Sequence, residues 1–393
     1  MEYNENMKSI TSRQFAIAAF LVIMAQKIFL LPTMMVKTGG ASGYISVIFV
    51  LALELAVLLL IMFTIKMQPN RSLYNLLDKG AGKVGGRIIA ALMLFCLSLK
   101  LMLLVSEIRV FFNINLQEGL SEWVAQISAG VFLFAVGTKT LRGIGRLAEI
   151  TAPFILGVMV LMFLLVVGNV QFDRLLPVLS GGFAPILKNM SLYPLWFGDI
   201  PYMLIFLGQI KKDKRFFLYA PVGAGLGAVI ALFFSSVLFM AFGGIPHLLD
   251  YGNNISTMLF YSATSYMMGR FDLILFSVWI FTLFIQFALV FYFLTRNLKY
   301  IFGANGNRLV SLAGAIVVFT MATFIFTEEY PLYYFCTQPI VRFAALFNNY
   351  LVPLFVFLIA VVLKIRQNKR VSGELLQPIF SAKIKQRSRN SEA

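Results

Sequence analysis

Long apolar segments separated by short polar ones dominate this sequence. Ten of these segments approach the roughly twenty residues that an α-helix needs to cross a bilayer. They lie near residues 15–36, 44–65, 88–106, 122–137, 147–168, 184–210, 216–242, 271–295, 309–327 and 342–363. The pattern predicts an all-α polytopic membrane protein with about ten transmembrane helices.

The basic residues between these segments are unevenly distributed. The two termini and the connections 66–87, 138–146, 211–215 and 296–308 hold 25 of the 33 Lys and Arg residues. Cytoplasmic loops of membrane proteins carry the excess of Lys and Arg, so we expect both termini in the cytoplasm. The net charge of +16 therefore reports topology and does not indicate nucleic-acid binding.

Ten spans divide into five plus five, and because five is odd, the second set enters the membrane from the opposite side. This division predicts a LeuT-type inverted repeat. The predicted parts are a cytoplasmic N-terminus at 1–14, repeats at 15–168 and 184–365, an outer connection at 169–183 and a basic cytoplasmic tail at 366–393.

Helix-breaking residues mark the first span of each set. Pro32 lies in the first span, and Pro194, Gly198 and Pro201 lie in the sixth. A proline removes a backbone donor and clashes with the preceding turn, so we expect both helices to open. Interrupted helices at matching positions of two halves indicate a transporter-type binding site.

Four charged residues fall near the middle of the predicted spans. At about 1.5 Å per residue from the basic helix ends, Lys27 and Asp199 lie about 21 and 18 Å deep. Glu54 and Lys100 lie at similar depths. An isolated charge at that depth costs about 2.5–3.5 kcal/mol on insertion scales, so we expect opposite charges to pair.

We predict that Lys27 pairs with Asp199 and that Glu54 pairs with Lys100. The first pair joins both helix breaks, which favours a functional role. The alternative is a kinked helix whose aspartate is satisfied by a neighbour. For the second pair, a purely structural bridge is the favoured interpretation.

Other classes of site are absent from the sequence. Cys96, Cys336 and His247 are too scattered to predict a disulfide framework or a metal site. Gly223, Gly225 and Gly227 lack the spacing of a dinucleotide loop, and they instead favour close helix packing. No catalytic constellation lies at mid-depth, so neither an enzyme nor a cofactor is predicted.

Several motifs resemble the permease-like (B-type) subunits of endospore nutrient germinant receptors, within the amino acid–polyamine–organocation superfamily. They are Thr11–Gln14 before the first span, Leu30–Pro32 at its end, the basic loop 72–83 and the segment 175–187. Phe197, Gly198 and Asp199 are similar to a Phe-Gly-Glu break in that family. The resemblance covers about residues 10–369.

The resemblance implies a ten-helix LeuT-type fold that binds a small germinant, such as an amino acid, between broken helices 1 and 6. It also implies A-type and C-type partner subunits in the spore inner membrane. The candidate ligand-binding residues are Gln26, Lys27, Phe29, Tyr193, Phe197, Gly198, Asp199 and Tyr202. A proton-coupled amino acid or amine transporter is the alternative function.

Two departures from the family pattern concern this site. Ala25 and Lys27 stand where small residues are usual, and Asp199 stands in place of the usual glutamate. Two roles for Lys27 remain open at this stage. It either supplies a positive charge that holds a ligand, or fills the pocket and blocks it.

Overall fold

A computed structural model describes residues 10–28, 30–39, 43–115, 130–132, 135, 139–167, 173, 176, 182–211, 213–242, 271–303, 307–320 and 329–368. These residues are almost entirely helical, and no β-sheet occurs among them. His247, Phe29 and most of the predicted fourth span and outer connection lie outside the described residues.

The first half of the described chain contains helices α1 (Ser12–Ala25), α2 (Leu30–Gly39), α3 (Gly43–Met67), α4 (Leu73–Asn115) and α5 (Leu141–Val167). The second half contains α6 (Ala184–Leu192), α7 (Pro194–Phe197), a 3₁₀ helix (Ile200–Phe206), α8 (Phe216–Phe242), α9 (Phe271–Phe302), α10 (Asn307–Thr320), α11 (Glu329–Cys336) and α12 (Pro339–Leu346). A π-helical turn (Phe347–Leu351) then leads into further helix, so that Pro339–Asn368 forms one membrane-length segment.

Six helices in the described part of the chain are long and apolar enough to cross a membrane. They correspond to the predicted spans 2, 3, 5, 7, 8 and 10. Spans 1 and 6 are interrupted, and spans 4 and 9 are described only in part. The predicted class, an all-α polytopic membrane protein, is confirmed. Helix α11 was not among the predicted elements, and the boundaries of the two repeats remain a prediction.

Helix α1 lies at the centre of the bundle. It begins with a capping box, in which the Thr11 side chain accepts from Gln14 N and the Gln14 side chain accepts from Thr11 N. Of its fourteen residues, twelve are buried, as expected for a helix that is apolar on all sides. Its main neighbour is α8, and it also contacts α5 and α9. The first break is therefore surrounded by protein.

The basic segments meet at one end of the bundle. Ile10 N donates to Gln209 O at 2.8 Å, and Lys211 N donates to Ile10 O at 2.9 Å, which ties the N-terminus to the end of the sixth span. Gly208, with φ at 74°, lies against the backbone of Arg71. These contacts place the N-terminus, the 66–72 connection and the 207–211 segment side by side.

Side-chain contacts bring the other basic segments to the same end. Arg13 Nε lies 2.8 Å from Glu149 Oε1 on α5. Tyr300 donates to Asp78 at 2.5 Å, joining the end of α9 to the start of α4. Gln68 donates to Ala360 O at 3.4 Å near the last helix. This shared end is the geometry that the Lys and Arg distribution requires.

Candidate functional site

The first span opens ahead of its proline, at residues 26–28. α1 ends at Ala25, residues 26–28 form a turn, and α2 begins at Leu30. Pro32 is thus the third residue of α2. The N–H groups of a first helical turn have no acceptor within the helix, so the missing N–H of Pro32 removes no helical hydrogen bond. Pro32 is compatible with the start of the second half-helix, and the break itself carries Gln26 and Lys27.

The sixth span is interrupted twice. α6 ends at Leu192, and Tyr193 leaves helical geometry with φ −118° and ψ 41°. Pro194 then opens the four-residue helix α7, which Gly198 closes with φ −52° and ψ 60°. Pro201 is the second residue of the following 3₁₀ helix. Each proline again lies in a first turn, and Asp199 lies between the two pieces.

Side chains from neighbouring helices bind the carbonyls at both breaks. Trp279 Nε1 on α9 donates to Ala25 O at 2.6 Å. Asn349 Nδ2 in the π-helical turn donates to Pro194 O at 2.7 Å, and Lys100 Nζ on α4 donates to Leu195 O at 2.7 Å. Backbone polar groups at membrane depth require such partners, so these side chains make the broken helices tolerable.

Asp199 is the centre of a buried ionic cluster. Its Oδ2 lies 2.5 Å from Lys27 Nζ, and its Oδ1 lies 2.5 Å from Lys100 Nζ. Gln286 Nε2 on α9 also donates to Oδ1 at 2.6 Å. All four side chains are fully buried. The predicted meeting of Lys27 with Asp199 is therefore present as a contact between the two broken helices.

Glu54 and Lys100 do not form the ion pair that was predicted between them. Glu54 Oε1 instead lies 3.2 Å from Lys27 Nζ and accepts from Asp199 N at 3.4 Å. Lys100 pairs with Asp199. The reason is geometric: α3 contacts the 3₁₀ helix that follows Asp199, so Glu54 faces the break rather than α4. Both predicted pairs thus merge into one cluster.

Four more buried polar residues surround this cluster, and none was predicted. They are Glu107, Trp279, Gln286 and Asn349. Glu107 accepts from Gln26 Nε2 at 3.0 Å, so it extends the cluster along the first break. Glu107 lies one residue beyond the predicted end of the third span, and Gln286 is the one amide side chain of the predicted span 271–295. A single polar residue in an apolar span was the available signal.

One aromatic ring lies near each of the two ammonium groups. The Phe197 ring centroid lies 6.0 Å from Lys27 Nζ, and the Tyr202 centroid lies 5.8 Å from Lys100 Nζ. Tyr193 packs edge-on against Trp196 at 5.7 Å. Tyr193, Phe197 and Tyr202 were predicted to line the site, and the structure places Phe197 and Tyr202 against its lysines.

No metal-binding cluster of three or more His, Cys, Asp or Glu residues occurs within the described ranges. Cys96 and Cys336 are buried free thiols. An apolar cavity of about 310 Å³ lies between α4, α9 and α10, lined by Leu94, Leu298, Phe302 and Val310 among others. It contains none of the charged residues of the cluster, so the ionic site and this cavity are separate features.

Residues 9–331 match the protein family described as Spore germination protein. The chain is 24% identical to Spore germination protein YndE of Bacillus subtilis (strain 168) over 301 residues, which are 75% of this chain and 81% of that protein. Spore germination protein A2 of the same organism is 25% identical over 197 residues, covering 49% of this chain and 52% of the relative.

The fold is similar to that of a Na⁺-coupled sialic acid symporter solved in a substrate-bound, outward-open state. The TM-score is 0.60, and the match covers 92% of this chain and 90% of the symporter chain at 12% sequence identity. At that identity the likeness concerns the fold alone, and it confirms the predicted LeuT-type fold.

Proposed function

We propose that this chain, which belongs to the Spore germination protein family, is the membrane subunit of a spore germinant receptor that binds a small nutrient between its broken helices. Family membership confirms the resemblance drawn from the motifs and identifies a multi-pass membrane protein that is not an enzyme. The observation that carries the proposal is the buried cluster of Lys27, Glu54, Lys100 and Asp199 at both helix breaks.

The same cluster supports a signalling role. It joins the first break to α3, α4 and the sixth span through a few short ionic contacts. A ligand that exchanges any of these contacts binds one helix arrangement better than another, which is the requirement for a conformational signal. We propose that rearrangement of the two broken helices against the rest of the bundle carries occupancy to the other receptor subunits.

A germination assay tests the receptor role. Spores that lack this subunit, and spores complemented with the wild type or Asp199→Asn, are exposed to a panel of amino acids and other small nutrients. We expect the wild type to restore a response that Asp199→Asn does not restore. Asp213→Asn is the matched control, because Asp213 is an exposed aspartate that accepts from Arg215 N at 3.1 Å. Equal responses in all complemented strains would refute the proposal.

A proton-coupled amino acid or amine transporter is the second candidate, because the fold is similar to that of a symporter. Uptake of labelled amino acids and amines into proteoliposomes separates the two. Transport of a solute that Asp199→Asn abolishes supports the transporter. Binding without net uptake supports the receptor.

The remaining parts of the proposal concern partners and location. Family membership supports association with other receptor subunits, and we propose A-type and C-type subunits in the spore inner membrane. We also propose that both termini are cytoplasmic, since the described basic segments gather at one end of the bundle. Co-purification of the three subunits from spores and reporter fusions at each terminus test these points.

A further inference from the structure

We infer that the helix breaks form a binding site for a primary ammonium group, and that the chain fills this site with its own Lys27. This inference rests on the proposed function for its biological meaning, and it adds that the ammonium position is occupied from within, so that a nutrient binds beside Lys27 rather than in its place. The site is defined here as Glu54, Asp199 and Phe197 around the Lys27 Nζ atom.

The surroundings of Lys27 Nζ match what an ammonium ion requires. Asp199 Oδ2 lies at 2.5 Å and Glu54 Oε1 at 3.2 Å, so two carboxylates face one cation. The Phe197 ring, 6.0 Å away, offers its negative face. A primary ammonium carries three N–H donors and no acceptor, and carboxylates with an aromatic wall recognise that pattern.

The site retains capacity for a further donor. Glu54 Oε2 is buried and has no hydrogen-bond partner among the described residues, and the same holds for Gln26 Oε1 and Gln286 Oε1. All three side chains are at most 1% exposed. Glu54 Oε2 therefore offers an acceptor beside the cation position to a ligand with an N–H or O–H donor.

Lys100 differs from Lys27 although both contact Asp199. Lys100 extends from the continuous helix α4 and also donates to Leu195 O, a carbonyl next to the second break, at 2.7 Å. It therefore belongs to the framework that supports the broken backbone. Lys27 comes from the non-helical turn after α1 and places its ammonium between the two carboxylates, as a ligand does.

The inference predicts that removing the Lys27 side chain creates a receptor for small amines. Lys27→Ala deletes three methylene groups and the ammonium, which are the atoms of n-propylammonium. We expect purified full-length Lys27→Ala to bind one labelled n-propylammonium per chain in equilibrium dialysis, and its thermal midpoint in detergent to rise with the amine concentration until the site is saturated.

Three matched controls define the result. Wild type should not bind n-propylammonium, because Lys27 holds the site. Lys66→Ala removes a lysine outside the buried cluster, whose Nζ lies 5.3 Å from the centroid of the Phe217 ring. The thermal midpoint of this variant should not respond to the amine. Tetramethylammonium lacks N–H donors and should not raise the midpoint of Lys27→Ala.

Lys27→Met retains most of the side-chain volume without the charge and is the second variant. We expect it to bind no amine, because the thioether chain occupies the space. If Lys27→Ala is recovered only when n-propylammonium is present during purification, the inference is supported. Folded Lys27→Ala that binds no amine overturns it, as does failure to recover this variant even with the amine.

The outcomes for the two proposals are separable. Amine binding by purified Lys27→Ala, with no germination defect in spores that lack the subunit, would refute the receptor function and leave this site intact. A germination defect in those spores, without amine binding by Lys27→Ala, would support the receptor function and overturn the ammonium site.

Discussion

Asp199 uses both of its carboxylate oxygens, one toward Lys27 and the other toward Lys100 and Gln286. Glu54 uses one oxygen, which lies 3.2 Å from Lys27 Nζ and accepts from Asp199 N at 3.4 Å. Asp199 therefore pairs with two lysines and Glu54 with one, although both acidic residues are buried. Removing one partner of a buried pair leaves an uncompensated charge, and that residual charge determines most of the cost.

Neutralising Asp199 should destabilise the protein more than neutralising Glu54. We expect Asp199→Asn to lower the free energy of unfolding by about 3–5 kcal/mol, because two lysines lose a partner. For Glu54→Gln we expect about 1–3 kcal/mol. Thermal unfolding of both variants in the same detergent measures the order. A larger loss for Glu54→Gln would contradict the central position of Asp199.

Exchanging the charges of Lys27 and Asp199 should not restore stability. In the double variant Lys27→Asp with Asp199→Lys, the new lysine faces Lys100 and the new aspartate faces Glu54. Like charges at close range oppose each other, so the double variant should be no more stable than the worse single variant. Recovery of wild-type stability would show that Lys100 and Glu54 lie farther away than in this structure.

Two glycines of α8 allow the close approach of α1. A Cβ at Gly223 would overlap the backbone of Ala16, and a Cβ at Gly227 would overlap the backbone of Phe20. Gly225, between them, faces open space. The small-residue spacing predicted from the sequence therefore has its physical basis at two positions, where backbone meets backbone. This contact holds the helix that ends at the first break.

Alanine substitution separates these glycines. We expect Gly223→Ala and Gly227→Ala each to cost about 1–3 kcal/mol through overpacking. Gly225→Ala should be neutral, or stabilising by up to about 1 kcal/mol through helix propensity. Thermal midpoints of the three purified variants provide the comparison. Equal effects at all three positions would exclude close packing of α1 on α8.

The end of the molecule that carries the basic segments is closed by a small number of polar contacts. Glu149 accepts from Arg13 at 2.8 Å and from Gln14 at 3.0 Å, and it is the α5 anchor of the start of α1. Ser12, the residue before Arg13, is 1% exposed. Opening of the bundle toward this side requires that these contacts separate.

Loss of the Glu149 carboxylate should therefore expose the start of α1. In a Ser12→Cys background, we expect Glu149→Gln to increase the rate at which maleimide labels the new cysteine several-fold. A partly exposed ion pair contributes about 1 kcal/mol, which corresponds to a change of that size. The native Cys96 and Cys336 are buried and give the background rate. Glu2→Gln is a control for the loss of one negative charge near the N-terminus. Unchanged labelling in Glu149→Gln would show that the backbone contacts of Ile10 alone close this end.

Helix depth and helix breaks could be predicted from the sequence, whereas partners across the bundle could not. Counting along a helix sets how deep Lys27, Glu54, Lys100 and Asp199 lie, because the rise per residue is constant. The rotation of each helix about its axis and the neighbour that it faces are not local properties. For that reason the layer of charge was predicted while the partner of Lys100 was not.

The apolar spans, the two interrupted helices, the uneven basic segments and the family motifs were all determined by the sequence alone, because transfer free energy and backbone geometry belong to individual residues and their neighbours. The tertiary structure decided three further points. It placed the first break before Pro32 and supplied Trp279 and Asn349 to the carbonyls that the breaks leave without helical partners. It also brought the members of both predicted pairs into one cluster centred on Asp199. These outcomes depend on which side chains from distant segments reach the same buried space, and only packing of the whole bundle determines that.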